Sequence, residues 1–377
     1  MESYSKQTTV CSTCLMDTSD PLITFNNQGI CSYCQDFKLF RSKHWYRGEE
    51  GKKKLDDLTQ TIKREGKNKE YDCLIGLSGG VDSSYVALLA KETGLRPLCV
   101  HVDAGWNSEL AVKNIENIVK KLNFDLYTYV VDWEEMRDLQ LAFLKAGLPN
   151  QDIPQDDAFV GAVYKVLREK KIKYLLSGGN IASENTLPSS WGFPAFDLRH
   201  LKAVHKLFGT KKLRTYPAIS FFKIFWHILI AKNVKVVRPL NFIDYNKENA
   251  MRELQEKLGW RPYEAKHCES TFTKFFQRYY LPTKFGFDKR KAHLSSLIIA
   301  GQLSREEALI EMKKPLYDST QLKEDKIYVS KKLGISLEEF ERLIKAPNRS
   351  HAEYPSYRKL FILKPLLKKI LKGSGHA

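Results

Sequence analysis

The run Ser78-Gly79-Gly80-Val81-Asp82-Ser83-Ser84 sets two adjacent glycines, an acid and three short hydroxyls between an apolar stretch and a helix-forming one. A glycine-rich turn at a helix N-terminus leaves backbone N–H groups unpaired and aimed outward. There they and the helix dipole attract phosphate oxygens. Side chains at Gly79 and Gly80 would hold those oxygens off the backbone. The expected ligand is a nucleotide polyphosphate, cradled by Gly79, Gly80, Val81, Ser83 and Ser84, with Ser78 and Asp82 at the reacting end. The G-x-x-x-x-G-K-[ST] pattern is missing, so this is not a Walker A loop. An ordinary tight turn is the competing account.

A second constellation is Cys11, Cys14, Cys31 and Cys34: two C-x-x-C knuckles on either side of a 16-residue gap. Each knuckle presents two thiolates to one tetrahedral ion, and Asn26-Asn27-Gln28-Gly29 supplies turn chemistry for a hairpin between them. Four thiolates satisfy Zn²⁺ completely and leave no open position, which points to a structural ion. A redox pair or an iron–sulfur cluster fits the pattern less well. Cys73 and Cys99 fall inside expected strands and read as small core residues.

These residues must be held by regular elements. Residues 72–77 read as a buried strand and 82–92 as the helix that the first motif opens. Strand-like stretches recur at 95–102, 125–131, 174–177 and 234–237, and helical patterns at 108–122, 133–146, 157–171 and 246–259. That alternation predicts an α/β fold, a parallel sheet flanked by helices, with ligands beyond the carboxyl ends of the strands. Two further polar sets sit at such ends: Asp103, within His101-Val102-Asp103-Ala104-Gly105-Trp106, and Gly178, Gly179 and Asn180, with Glu184 one helical turn on. Asp82, Asp103 and Glu184 are candidates to hold Mg²⁺ on the phosphates, since hard cations take carboxylate oxygens. Helix capping or surface charge is the plainer account of Asp82 and Glu184.

Four regions follow: a zinc ribbon over 1–40, a charged helical connector over 41–70, the nucleotide domain over 71–260 and a helical C-terminal domain over 261–377. The chain of 377 residues carries a formal charge of +17, which implies an anionic partner but does not choose among nucleic acid, nucleotide sugar, lipid surface and acidic protein. The polar N-terminus shows no signal peptide, and the apolar stretch 217–231 is too short and too charged to span a bilayer. The expectation is a cytoplasmic protein. Residues 357–372 interleave apolar and basic positions at helical spacing, so this tail could make a peripheral membrane contact or dock on the core.

The loop resembles that of the ATP pyrophosphatase (PP-loop) superfamily, whose fold is adenine nucleotide alpha hydrolase-like. Its members cut ATP between the α and β phosphates and adenylate an oxygen for later displacement. The longer motifs carry the likeness further. The ribbon cysteines, 78–84, 101–108, 177–184, Arg238-Pro239-Leu240, 266–270, the aromatic run through Tyr279-Tyr280-Leu281-Pro282 and 284–294 are together similar to N-acetyl sugar amidotransferases of bacterial surface-polysaccharide pathways. The resemblance implies conversion of a sugar N-acetyl group, on a nucleotide sugar, to an acetamidino group with ATP and ammonia. Lys266, His267 and Glu269 would line the ammonia entrance or hold substrate, and Lys284, Lys289 and Arg290 would meet the diphosphate or a carboxylate, with a salt-bridged helix end as the equal alternative for these three cations. It also implies a separate glutaminase similar to that of histidine biosynthesis, with a cyclase-like companion. The alternative is a tRNA-modifying thiolase, which the ribbon and charge would suit. Scattered single cysteines argue against it, so nucleic acid is not the expected partner.

Overall fold

The computed structural model describes residues 8–192, 196–263 and 268–358. Five parallel strands, β1 (Cys73–Gly76), β2 (Pro97–Asp103), β3 (Asp125–Val130), β4 (Tyr174–Leu176) and β5 (Lys235–Val237), form one sheet in the order β3-β2-β1-β4-β5. The chain winds outward from β1 in one direction and then in the other, so the switch point lies between β1 and β4. Helices α1 (Ser32–Leu39) and α2 (Gly48–Gly66) precede the sheet; α3 (Val81–Glu92) and α4 (Glu109–Leu122) follow β1 and β2. Next come α5 (Trp133–Lys145) and α6 (Ile153–Glu169), then α7 (Ile181–Glu184), α8 (Leu198–Phe208) and α9 (Phe221–Phe225), and after β5 α10 (Lys247–Leu258).

The central strands β1, β2 and β4 are buried on both faces because their side chains alternate, while the edge strands β3 and β5 are largely exposed. Leu74, Leu98, Val100 and Val102 join Met136, Leu139 and Phe143 of α5 and Ala158 and Ala162 of α6. Cys73, Ile75, Leu77 and Cys99 face the other way, onto Val86 of α3, Ile115 and Ile118 of α4 and Leu254 of α10. Each fully buried aliphatic side chain contributes roughly 1.5–3 kcal/mol. Cys73 and Cys99 are thus core residues, as their strand positions suggested.

One expectation shifts. The helix expected from 157 begins at Ile153, because Pro154 is accommodated in the first turn, where no intrahelical N–H bond is lost. The connector helix α2 buries Leu55, Thr59 and Ile62, and a methyl group at Gly51 would lie 2.5 Å from the Phe242 carbonyl oxygen.

Beyond α10, α11 (Thr271–Phe275), a π turn (Phe276–Tyr280) and α12 (Leu281–Phe285) run as one rod, followed by α13 (Lys289–Ile299), α14 (Arg305–Lys313), α15 (Ser319–Leu333) and α16 (Leu337–Lys345). This helical part does not stand apart. Phe272, Phe275 and Phe276 pack with Val329, Leu333 and Phe340, and also with Trp106 and Leu144 of the sheet region. Residue 107 pairs with 270 in an antiparallel bridge, flanked by bonds from Ser108 N to Glu269 O (2.9 Å) and Thr271 N to Trp106 O (2.9 Å). No helix among the described residues is long and apolar enough to cross a membrane. The basic tail from residue 359 on, with its expected contact to lipid or core, lies outside the described residues.

His200 and His351 meet in the core, with His351 Nδ1 3.2 Å from His200 Nε2. Burial pushes His200 down to about 4, so the folded protein keeps it neutral where the unfolded chain would protonate it. That stability is fully present above pH 6.5 and is lost on acidification towards 4, the loss reaching about 2 kcal/mol at pH 5. We expect His200→Gln to gain about that much stability relative to wild type between pH 7.5 and pH 5. Urea melts of both proteins at the two pH values check this, and a constant difference between them would contradict it.

Candidate active site

The phosphate loop leaves β1 at Leu77, whose N–H bonds Val100 O (2.8 Å), and turns through Gly79 at φ +82°. Only glycine takes that conformation without strain. Gly80 then caps α3: its carbonyl accepts from Ser84 N (3.1 Å), Ser84 Oγ (2.7 Å) and Ser83 Oγ (3.2 Å). Ser83 Oγ also accepts from Ser78 N (3.3 Å), and Ser78 Oγ accepts from Gly80 N (3.3 Å). The serines thus hold the loop's amides in place of phosphate oxygens. From behind, Trp260 Nε1 (2.8 Å) and Tyr263 OH (3.1 Å) both donate to Gly79 O, fixing the peptide that turns.

Across the switch point, the segment after β4 packs on the first turn of α3. A methyl group at Gly178 would stand 2.9 Å from Ser83 N and 3.0 Å from the Asp82 carbonyl carbon, so glycine is required by space. Asn180 caps α7, accepting from Ser183 N (2.8 Å), and its amide donates to Asp82 Oδ1 (3.3 Å). Tyr245 OH donates to the same oxygen at 2.5 Å; burial, then the Asp82 charge, pushes that phenol far up, so it stays a donor. Glu184 and Arg238 flank Gly179, their Oε2 and Nε lying 3.6 and 3.7 Å from where a Cβ would be.

Asp103 is used by its own turn, accepting from Gly105 N (2.8 Å) and Asn107 Nδ2 (3.0 Å). Asn107 also meets His101 Nε2 (3.0 Å), while His101 Nδ1 faces Leu77 O (3.2 Å); burial holds this imidazole below its usual value, hence neutral. Asp82, Asp103 and Glu184 do not converge: among the described residues only the four cysteines bring three or more candidate metal ligands together. A magnesium ion on nucleotide phosphates needs only one or two carboxylates plus water. Asp82, in the first turn behind the loop, is the best placed of the three.

Beside the loop opens a cleft of about 380 Å³, lined by Ser78, His101, Asn107, Asn150, Asp152, Gln155, Asp156, Glu269, Thr273, Gln277 and Lys289 over apolar Val100, Val102, Phe159 and Val163. Glu269 reaches over the loop, its Oε1 3.1 Å from where a Cβ on Gly80 would sit. Of the candidates for substrate contact, Lys289 lines this cleft. The other two do not. Lys284 donates to Ile344 O (2.9 Å) and to Ala346 O, closing the end of α16, and Arg290 pairs with Asp288 (2.8 Å) and Lys314 O (2.8 Å). Both cations serve helix ends. Lys266 and His267 lie outside the described residues.

The wall built by Asn150, Asp152, Gln155 and Asp156 escaped the sequence reading. Its signal was Asp152 and Asp156 at i and i+4, a like-charge pair that destabilises a helix unless something else requires it. Gln277 was equally hidden: it points into the cleft from the π turn of the rod, the kind of helix defect that often marks functional positions.

At the N-terminus, Phe25 bridges to Cys31, and Gly29 at φ +72° closes the expected hairpin turn. Cys11 Sγ lies 3.8 Å from Cys34 Sγ, and Cys31 Sγ lies 3.6 Å from both Cys14 and Cys34. Thiolates about 2.3 Å from a tetrahedral zinc ion stand about 3.8 Å apart, so the four residues fit that ion. Backbone N–H groups of Cys31 (3.2 Å) and Thr13 (3.4 Å) point at Cys11 Sγ, as a bound thiolate's surroundings should. The knuckles dock on α13 through Leu15 N to Ser295 Oγ (3.0 Å) and an Asp17–Lys291 ion pair, with Trp191, Phe287 and Ala292 packed against the cysteines.

Comparison with known proteins gives similarities along the chain. An uncharacterized protein of Methanocaldococcus jannaschii, MJ1599, is 23% identical over 310 residues, covering 81% of this chain and 93% of its own length. The glutamine-hydrolyzing GMP synthase of Elusimicrobium minutum is 36% identical over 101 residues, 26% of this chain and 18% of that enzyme. Among solved structures, the U34-tRNA thiolase NcsA from Methanococcus maripaludis, with its [4Fe-4S] cluster, aligns at 15% identity and TM-score 0.34, covering 70% of this chain and 81% of that one. Residues 269–369, whose described part holds the rod and the helices after it, match the family described as LPS biosynthesis protein WbpG-like, C-terminal domain.

Proposed function

We propose that this protein is an ATP-dependent amidotransferase acting on the N-acetyl group of a sugar, on a nucleotide carrier, for surface-polysaccharide synthesis. The observation that carries the proposal is the adjacency of a phosphate-type loop, at the switch point of a parallel sheet, to a polar cleft walled by the WbpG-like C-terminal region. ATP would lie with its phosphates on the amides of Gly79, Gly80 and Val81, with Mg²⁺ held through Asp82.

The acetamide oxygen attacks the α-phosphorus, and the bond to pyrophosphate breaks. The product is an O-adenylyl imidate plus pyrophosphate. Ammonia then adds to the imidate carbon, the C–O bond breaks with AMP leaving, and loss of one proton from the added nitrogen gives the acetamidinium, whose amidine is too strong a base to give up its last proton at neutral pH. An amide oxygen alone is a poor leaving group; AMP is a good one. The loop's donors stabilise charge that grows on the departing pyrophosphate.

Ammonia at neutral pH is almost wholly ammonium, which has no lone pair. We therefore assign its supply to a separate glutaminase similar to that of histidine biosynthesis, with a cyclase-like companion. Glu269, beside both loop and cleft, is placed to meet the incoming nucleophile. The test is mass spectrometry of N-acetylated nucleotide sugars incubated with the protein, ATP, Mg²⁺ and ammonium. The expected product has oxygen replaced by NH, with AMP formed in equal amount. ADP instead of AMP, or ATP cleavage indifferent to every sugar offered, would refute the reading.

A further inference from the structure

We propose that the cleft between the ends of β1 and β2 and the α11–α12 rod receives the sugar ring itself, with Asp156 as the hydroxyl-binding carboxylate and the diphosphate left outside. This rests on the amidotransferase reading and assigns the place and chemical class of its acceptor.

Charge is the first argument. Among the described residues, Asp152, Asp156 and Glu269 line the cleft against one cation, Lys289. Carboxyl groups in excess of cations give a diphosphate little electrostatic hold, whereas a neutral ring with many O–H donors suits acceptors of this kind.

Hydrogen bonding is the second. Asp152 is already engaged by Thr273 Oγ1 (3.0 Å), Gln155 Nε2 (3.3 Å) and Gln277 Nε2 (3.4 Å), and Ser270 Oγ meets Gln155 Oε1 (3.3 Å). This network ties α6 to the rod and fixes the wall. Asp156, one helical turn further on, lies outside that network. Burial and the neighbouring Asp152 charge push its carboxyl up to about 7, as happens where a carboxylate lacks donors. Hydroxyls of a bound ring would supply them.

Shape is the third. Val100, Val102, Phe159 and Val163 form an apolar strip in the same cleft, which matches the C–H face of a sugar and an acetyl methyl group. The volume of about 380 Å³ lies within the range of small-ligand sites. Ser78 belongs to the lining, so a group held here borders the phosphate loop, as adenylation requires.

Saturation-transfer NMR with UDP-N-acetylglucosamine and with UDP alone tests the assignment on the full chain. Wild type should pass saturation to sugar and acetyl protons more strongly than to uridine protons, and UDP alone should bind worse. Asp156→Asn and Gln277→Ala should each weaken sugar binding by about tenfold or more, the cost of losing or misplacing one charge-assisted hydrogen bond. Thermal protection by ATP in each variant is the control for folding. Wild-type sugar affinity in both folded variants would overturn the cleft assignment and leave the amidotransferase reading standing. Saturation confined to the uridine would likewise overturn it. A wild-type protein that binds ATP but no N-acetylated sugar would remove both.

Discussion

AMP release by the Asp82→Asn protein falls about a hundredfold to a thousandfold, with the unfolding midpoint close to wild type. The separation follows from the geometry. The Asp82 carboxylate accepts from Tyr245 OH (2.5 Å) and Asn180 Nδ2 (3.3 Å), so an amide at this position still offers Tyr245 an acceptor. What it cannot offer is negative charge for a cation on the phosphates. Asp82→Ala should lose the same activity and some stability as well, because it leaves a buried phenol without its partner, at about 1–3 kcal/mol. Nucleotide chromatography of reactions with ATP, Mg²⁺, ammonium and an N-acetylated nucleotide sugar provides the measurement. Wild-type AMP release by the asparagine variant would show that Asp82 only braces the loop.

The second large effect is expected at the ribbon. Cys14→Ser removes one of four thiolates, and a structural zinc ion bound with about 10–16 kcal/mol of apparent free energy should leave the protein. The prediction is loss of stoichiometric zinc by elemental analysis, together with rapid tryptic cleavage before residue 41. The sheet domain should remain folded, since its two cores are built without the four ribbon cysteines. Docking on α13 adds Trp191, Phe287 and Ala292 to the ribbon's own small core, but those contacts depend on knuckles that the ion shapes. Unchanged metal content and unchanged digestion would mean the four thiols are held by packing alone.

The parts of this site that could be read from sequence are those whose chemistry is local. Ser78–Ser84 spell out a turn, a helix start and a set of donors within seven residues, and the two C-x-x-C knuckles need only their own spacing. Asn180 and Glu184 were legible for the same reason, as a cap and the residue one turn on. The cleft wall was not, because it is assembled from α6, the rod and the turn after β2, which meet only in three dimensions. Asp152 reads in sequence as one more surface acid; Thr273 and Gln277, over 120 residues away, make it a buried brace. Lys284 and Arg290 stayed open between two readings for the converse reason. A basic cluster resembles an anion site until the carbonyls of Ile344, Ala346 and Lys314 are seen beside it. The early start of α6 at Ile153 compounds this, because four more residues of helix bring Asp156 to the cleft rather than leaving it in a loop.

The staple behind the phosphate loop has a practical use. Trp260 is buried, with its indole N–H on Gly79 O, so its emission should respond when a nucleotide reshapes that peptide. The protein therefore carries its own optical gauge of occupancy, readable by stopped-flow mixing without any attached dye. A Trp260→Phe protein, in which the hydrogen bond and the signal vanish together, would tell that gauge apart from the other five indoles of the chain.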